Sequence, residues 1–403
     1  MLTFAYSARD TASNKVVKSS VQAESERAAA KLLMAQGMVP LSISEQSERG
    51  SLLGAFRNRI SGKDRVIFTR QLATLINAGL PLAQSLHTVA EQTTNKRLNV
   101  VARDIITSIE GGSSLADSFA KHPEVFNDLF IALIAAGEAS GTLDQALERI
   151  ANQQEKDAEL LSKVRGALVY PVIVLFVILC VIIFMLVTVV PQIQILYDDL
   201  NAELPFVTAV MVALGNFVIN FWWLLLIATA AVIYYLRQYV QTDSGHRAMD
   251  RLKINLPLFG DMFRKLYMAR FTRTGQTLLS TGVPMLEMLR ISARSSGNAM
   301  VSDSILRASE KVKGGKALSV SLKNDPNVLP LVPQMISIGE QSGGIDAMMG
   351  KAATFYENEL DNTIRSISTA IEPLLMVVLA VVAGIMVAAI LLPVYGLIGS
   401  GQI

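Results

Sequence analysis

Residues 68–86 read FTRQLATLINAGLPLAQSL, and residues 271–289 read FTRTGQTLLSTGVPMLEML. Gly79 falls on Gly282 and Pro81 on Pro284, an offset of 203 residues. The same offset pairs Gly111-Gly112 with Gly314-Gly315, Leu115 with Leu318, Ser118 with Ser321 and Pro123 with Pro326. After a slip of one residue, AAGEASGTLDQAL (135–147) falls on SIGEQSGGIDAMM (337–349). That slip matches Gly137, Glu138, Gly141 and Asp144 with Gly339, Glu340, Gly343 and Asp346. Self-similarity held in one order over such a distance marks a duplicated structural unit.

Inside each copy the apolar residues recur at helical spacing. Val66, Ile67, Leu72, Leu75 and Ile76 make one stripe, and Ile131, Leu133, Ile134, Leu143, Leu147 and Ile150 make others. Ala78-Gly79-Leu80-Pro81 stops one helix at a glycine free to take positive φ and starts the next at a proline. Ser140 or Thr142 is the candidate cap of a following helix, with Asp144 in its first turn, where negative charge is stabilising. Two helical-bundle modules are expected, at 63–167 and 266–370. Residues 1–45 differ, reading as a small ββαβ unit with strands near Phe4–Ala8, Val16–Val21 and Val39–Ser44 and an Ala-rich helix near Ser25–Gln36. Residues 46–62, rich in Ser, Gly, Arg and Asn, are its linker.

The chain is 51% hydrophobic and 17% charged over 403 residues, too apolar for an ordinary soluble protein. No charged residue lies between Arg165 and Asp198, between Glu203 and Arg237, or after Glu372. Three transmembrane helices follow, at 168–190, 210–236 and 371–393. The repeat reaches into them: Pro171 matches Pro373, Pro191 matches Pro393, and each pair is 20 residues apart. At 1.5 Å per residue that separation is about the 30 Å of a hydrocarbon core. Every Lys and Arg lies in 1–165 or 237–365, whereas 191–209 carries Asp198, Asp199 and Glu203. The positive segments, including the connection 237–265, are therefore expected in the cytoplasm, and the loop 191–209 and tail 394–403 outside. The N-terminus carries no secretory signal and is expected inside, the C-terminus outside.

The sequence argues against chemistry of its own. With a net charge of +2 and no basic run interleaved with aromatics, nucleic acid is not an expected partner. Cys180 is single and lies in an apolar run, so neither a disulfide within the chain nor a Cys metal cluster can form. Lys313-Gly314-Gly315-Lys316-Ala317 lacks the spacing and hydroxyl of a phosphate-binding loop. GEASG and GEQSG have the serine in the wrong place for a nucleophile elbow. His87, His122 and His246 lack metal-ligand spacing. No catalytic residue, cofactor or metal is expected.

Some positions invite a role in assembly. Glu138 and Glu340 recur at one point of both modules, as helix caps in preference to contacts between modules. Glu372 stands at a membrane boundary with Pro171, Pro191, Pro373 and Pro393, as an interfacial carboxylate or a contact with a neighbouring helix. Ala380, Gly384 and Ala388 make a small-residue stripe that lets a helix approach closely, with packing inside the chain preferred over pairing of copies.

The motifs R-Q-L-A-T-L-x-x-A-G-L-P-L and A-G-E-x-S-G-x-L-D, carried twice, resemble the type II secretion system F family of inner-membrane platform proteins. The likeness covers roughly residues 63–395. It implies an assembly platform for a type IV pilus or type II secretion machine in the inner membrane, in contact with lipid. Its implied partners are a hexameric cytoplasmic ATPase, pilin or pseudopilin subunits, companion membrane proteins and further copies of itself. The resemblance also raises calcium, on positions that would be Thr94, Glu148 and Asn152. Only Glu148 is charged, and Ca²⁺ takes six to eight oxygens, so no tight site is expected. A small-solute transporter or channel subunit is the alternative, weakened by spans without ionisable residues in their apolar cores.

Overall fold

The computed structural model describes residues 2–10, 16–23, 28, 30, 32, 34, 38–45, 60–199 and 206–399. It separates a small unit, residues 1–61 with Asn95–Arg97, from a large unit holding the rest. In the small unit β1 (Leu2–Asp10) lies between β2 (Val16–Ala23) and β3 (Met38–Glu45), both antiparallel to it. Leu2 sits opposite Ala23 and Arg9 opposite Val16, and the β1–β3 register shifts between Ser7 and Ala8. The helix expected near 25–36 lies largely outside the described residues, of which Ala28, Ala30, Leu32 and Met34 are helical. Residues 46–59 of the expected linker lie outside them altogether.

The large unit is helical and its first repeat holds six helices. These are α1 (Gly62–Asn77), α2 (Leu82–Gln92), α3 (Lys96–Glu110), α4 (Leu115–Ala120), α5 (Asp128–Ser140) and α6 (Leu143–Phe184). A π turn at Met185–Val189 leads into α7 (Val190–Asp199), and α8 (Phe206–Gln241) follows. The connection holds α9 (Asp243–Asn255). The second repeat holds α10 (Gly260–Ser280), α11 (Met285–Ser295), α12 (Ala299–Lys313), α13 (Leu318–Leu322), α14 (Leu331–Ser342) and α15 (Ile345–Gly399). Helix for helix, α10–α15 follow α1–α6.

The turn after the first helix shows why both copies fold alike. Gly79 has φ +84° and Gly282 φ +83°, a left-handed conformation that costs glycine nothing. The next amide in each case, Leu80 or Val283, reaches back to Leu75 or Leu278 at 3.1 Å, closing the carbonyl end of the helix. Pro81 and Pro284 then hold the N-cap position of α2 and α11. The two cores differ in content. Phe68, Phe119, Phe126 and Phe130 are fully buried together in the first repeat, with ring centroids 4.6–6.1 Å apart. Such pairs add about 0.5–1.5 kcal/mol each beyond area burial. The second repeat keeps Phe271 and fills the rest with Leu322, Val332, Ile336 and buried methionines such as Met268, Met288 and Met349. Unbranched methionine adapts to such irregular space.

Three helices are long and apolar enough to cross a membrane, within Leu143–Ile195, Thr208–Gln241 and Ile345–Ala388. Their apolar stretches are largely bare of protein, as at Phe176, Trp222 and Val377, which suits a lipid surround. No break separates module from span. α6 runs 42 residues and α15 runs 55, through the boundaries at 167/168 and 370/371, and Pro171, Pro373 and Pro393 lie inside them. Helix also occupies 191–199 and resumes at 206, where a loop over 191–209 is expected from the sequence. Pro191 has no N–H to give the carbonyl four residues back, and the π turn stands just before it. There the Val190 amide reaches back five residues to Met185. α8 passes this point closely, since a Cβ on Gly215 would stand 2.7 Å from the Leu186 carbonyl oxygen. Leu186, Val190 and Val212 make a small core between these helices.

Candidate functional site

The strongest polar feature is an arginine clamp present twice. In the first repeat Arg70 on α1 donates Nε and Nη2 to the two carboxylate oxygens of Glu155, both at 2.6 Å. It also donates Nη1 to Glu148 at 2.8 Å and Nη2 to Asn152 Oδ1 at 2.6 Å, all on α6. In the second repeat Arg273 on α10 grips Glu357 on α15 through Nε at 2.9 Å and Nη2 at 2.8 Å, with Thr354 Oγ1 at 3.3 Å. Arg273 matches Arg70, Glu357 matches Glu155 and Thr354 matches Asn152 in the repeat registers. A planar guanidinium meeting a carboxylate edge on is the strong, orienting form of ion pair. It holds the Glu155 carboxyl below the usual range and the Arg70 guanidinium above its own. Each clamp ties the first helix of a module to the long helix that enters the apolar stretch. Sequence reasoning missed both, although the Arg and Glu pairs sit in the two registers already found.

Glu138 and Glu340 cap short helices. Glu138 accepts the Leu115 and Ala116 amides at 2.9 and 3.1 Å, at the N-terminus of α4. Glu340 accepts the Leu318 and Ser319 amides at 2.6 and 3.2 Å, at the N-terminus of α13, and the Ser319 hydroxyl at 2.5 Å. Carboxylates there satisfy orphan amides and meet the positive end of the helix. Gly137 and Gly339 let the next helix approach: a Cβ would stand 2.5 Å from Ala146 Cβ in one repeat and 2.6 Å from Ile345 Cα in the other. Gly141 and Gly343 hold left-handed C-caps of α5 and α14, and Asp144 and Asp346 lie in the first turns of α6 and α15. The expected Thr142 cap is corrected: Thr142 stands at the N-cap of α6, but its hydroxyl makes no cap bond and pairs with Ser140 Oγ at 2.7 Å.

The two repeats pack on each other along α6. Arg149 donates to the Ser280 carbonyl at 2.9 Å, Thr277 Oγ1 donates to Gln153 Oε1 at 3.2 Å, and Arg270 Nε lies 3.7 Å from Asp157. Residues rise along α6 as they fall along α10, so these helices run antiparallel. Further on, Lys163 of α6 donates to Asp361 of α15 at 2.8 Å, and since Arg273 meets Glu357 while Lys265 meets Thr363, α10 is antiparallel to α15 as well, so the two long helices run side by side in one direction. The turn Thr281–Pro284 and Glu287 line a pocket with Ala132, Ala135, Ala136 and Ala139 of α5, and Arg294 reaches Asp128 at 2.7 Å.

Other predicted positions lie apart. Glu372 is exposed on α15. A Cβ on Gly384 would meet no atom within 4 Å, so the packing expected along Ala380, Gly384 and Ala388 is not made at that position inside the chain. Each histidine has a carboxylate of its own: His87 with Glu110, His122 with Asp104 and His246 with Asp250. Among the described residues no group of three or more His, Cys, Asp or Glu could hold a metal. Of the calcium positions, Thr94 is exposed beyond α2, while Glu148 and Asn152 face the cationic Arg70, which leaves them poor ligands for another cation. Asp250, unsuspected from the sequence, is 1% exposed, accepts the Ala299 amide at 2.9 Å and so pins α9 to the start of α12.

Comparison with known proteins gives the same duplication. The family described as Type II secretion system (T2SS), protein F, matches residues 68–191 and again 271–393, and the N-terminal domain of that protein matches 1–44. The chain is 37% identical to Type IV pilus assembly protein PilC of Thermus thermophilus, over 99% of both chains. It is 35% identical to PilC of Myxococcus xanthus over 97% of this chain and 94% of the other. It is 31% identical to Type II secretion system protein F of Vibrio cholerae over 98% of each. A match that covers both repeats, the first and third apolar stretches and the N-terminal residues, with relatives aligned end to end, means that this chain belongs to the type II secretion system protein F family.

Proposed function

We propose that this protein is the inner-membrane assembly platform of a type IV pilus or type II secretion machine, coupling a hexameric cytoplasmic ATPase to polymerisation of pilin or pseudopilin. The observation that carries the reading is mechanical. Each module is clamped by an arginine to a helix that continues unbroken into the apolar stretch, α6 for 42 residues and α15 for 55. At 1.5 Å per residue α15 is about 80 Å long, enough to carry a displacement from a module through a bilayer. The platform performs no reaction; its partners supply the energy and the subunits, and companion membrane proteins and lipid surround it. Both modules lie in the cytoplasm, with the N-terminus inside and the C-terminus outside. The parallel run of α6 and α15 and the confinement of Lys and Arg to 1–165 and 237–365 support this. The N-terminal sheet belongs to a ββαβ unit, and the platform is a homo-oligomer.

The test uses the full-length protein in detergent. It should retain the cognate ATPase on an affinity column, and a protease site cut between the modules, at the α8–α9 connection, should abolish fibre assembly. No retention of the ATPase, with fibres still assembled by the cut protein, would refute the coupling.

A further inference from the structure

The contact between repeats is used once within the chain, and both of its matching halves are left open. The α5 face at Ala132 and Ala136, both half-buried, lines a pocket together with the Thr281–Pro284 turn of the second repeat. The same face on α14, offset by 202 residues, carries Ser337 and Ile338 and borders a groove of about 700 Å³. Ile338 is 50% exposed there. The turn that would fill such a groove is the first repeat's own, where Leu80 is half-buried, while its equivalent Val283 is 8% exposed.

The long helices tell the same story. Gln153 on α6 meets Thr277 on α10, and Asp157 faces Arg270. In the repeat registers Gln153 becomes Phe355, and Arg270 becomes Ile67. Phe355 is 47% exposed and Ile67 46%, although both are large apolar side chains outside the membrane stretches. Arg149, which holds the end of α10, becomes Lys351, which is exposed beside Phe355. Apolar side chains thus stand open at positions whose equivalents are covered.

A two-fold axis between the repeats would bury both turns and both faces alike. Instead Gln153 on α6 and Val283 in the second turn are buried while their equivalents Phe355 and Leu80 are not, so the contact is of the head-to-tail kind, which propagates from copy to copy until a ring closes. Because α6 and α15 point the same way, repeating the step keeps every copy's helices directed into one bilayer.

We propose that a second copy of this chain seats its Gly79–Pro81 turn in the α14 groove, against Ile338 and Phe355, repeating between chains the contact that joins the two repeats within one. The proposal rests on the duplicated fold and not on the ATPase reading, since the contact forms whether or not a motor binds. The test uses full-length protein in its native membrane with Cys180→Ser throughout. One copy carries Pro81→Cys and a differently tagged copy carries Ile338→Cys. Mild oxidation should yield a disulfide between the two tags and none between copies bearing the same cysteine. Adding Phe355→Glu to the Ile338→Cys copy should lower the yield at least tenfold. Ser337→Cys with Gln84→Cys, both at equivalents of lining positions, serves as a second pair. Same-site cross-links as strong as mixed ones, or no mixed cross-link from either pair in protein that melts like the parent, would overturn the proposal.

Discussion

Glu357 is bonded to Arg273 through both carboxylate oxygens while only 15% of its side chain meets solvent, whereas Glu155, bonded in the same way to Arg70, is 43% open. The same ion pair therefore works in two dielectric settings. Removing the arginine strands a half-buried carboxylate in one repeat and a largely hydrated one in the other.

From that difference, Arg273→Ala should destabilise the detergent-solubilised protein by about 1–3 kcal/mol, the cost of an unsatisfied buried group. Arg70→Ala should cost less, about 0–1 kcal/mol after solvent screening. Thermal unfolding of the two variants beside the parent checks the order. Equal losses would mean that the clamps are not distinguished by burial.

The glycines of the α5–α6 and α14–α15 junctions make a second case. Gly339→Ala would set a Cβ 2.6 Å from Ile345 Cα and 3.1 Å from its nitrogen, both backbone atoms that cannot swing aside. It should lower stability by about 1–3 kcal/mol, as overpacking does. Gly384→Ala meets open space and should leave the unfolding midpoint of the solubilised protein unchanged. Limited proteolysis at the α14–α15 junction should quicken for the first variant and stay as in the parent for the second.

Much of this was legible in the sequence because the duplication supplies its own alignment. The Gly79 and Gly282 turns follow from a glycine-to-proline spacing, and the three apolar stretches follow from missing charge. The continuity of α6 and α15 was not legible: Pro171 and Pro373 read as edges, yet a long helix can carry a proline inside it when packing holds the freed carbonyl. The π turn before Pro191 has no sequence signal apart from the proline itself. The asymmetry of the contact between repeats is hidden for a different reason. Matching motifs enter different surroundings, so α5 meets α11 through Asp128 and Arg294 while Ile338 on α14 stands exposed, and only the alanines 132, 135, 136 and 139 against Gln334, Ser337, Ile338 and Gln341 betray it.

Asp325 gives the pH dependence. Burial pushes its carboxyl up, but Arg307 at 2.8 Å, the Asn327 amide at 3.0 Å and the Ser304 hydroxyl at 2.7 Å outweigh that and hold it below the ordinary range. A depressed folded value means stability that is fully present above the unfolded value of about 4 and is lost as pH falls through the folded one. Stability from this group should thus be flat between pH 5 and 8 and decline below about 4. Asp325→Asn should cost about 1–3 kcal/mol at pH 7, and its deficit should shrink as pH falls from about 4 toward 3. Denaturant titrations of both proteins across that range measure the difference directly. A deficit that stays constant would place the effect elsewhere.

Lys163 and Asp361 join the two long helices just before their apolar stretches, at 2.8 Å and about one third exposed each. At that exposure the pair contributes about 0–1 kcal/mol to stability, so its removal should barely move the unfolding midpoint. Its position matters more than its strength, because it fixes α6 beside α15 where a displacement of either module would pass toward the membrane. Lys163→Asp places two carboxylates face to face and should reduce sheared surface fibre or secreted substrate while the protein level holds. Asp361→Lys added to it restores opposite charge in reversed order and should recover assembly, even though Glu159, which bonds Lys163 in the parent, then faces a second carboxylate instead. If the double variant is as poor as the single one, the charge is not what couples these helices, and buried apolar side chains of α6 such as Leu160 and Val164 must carry the alignment instead.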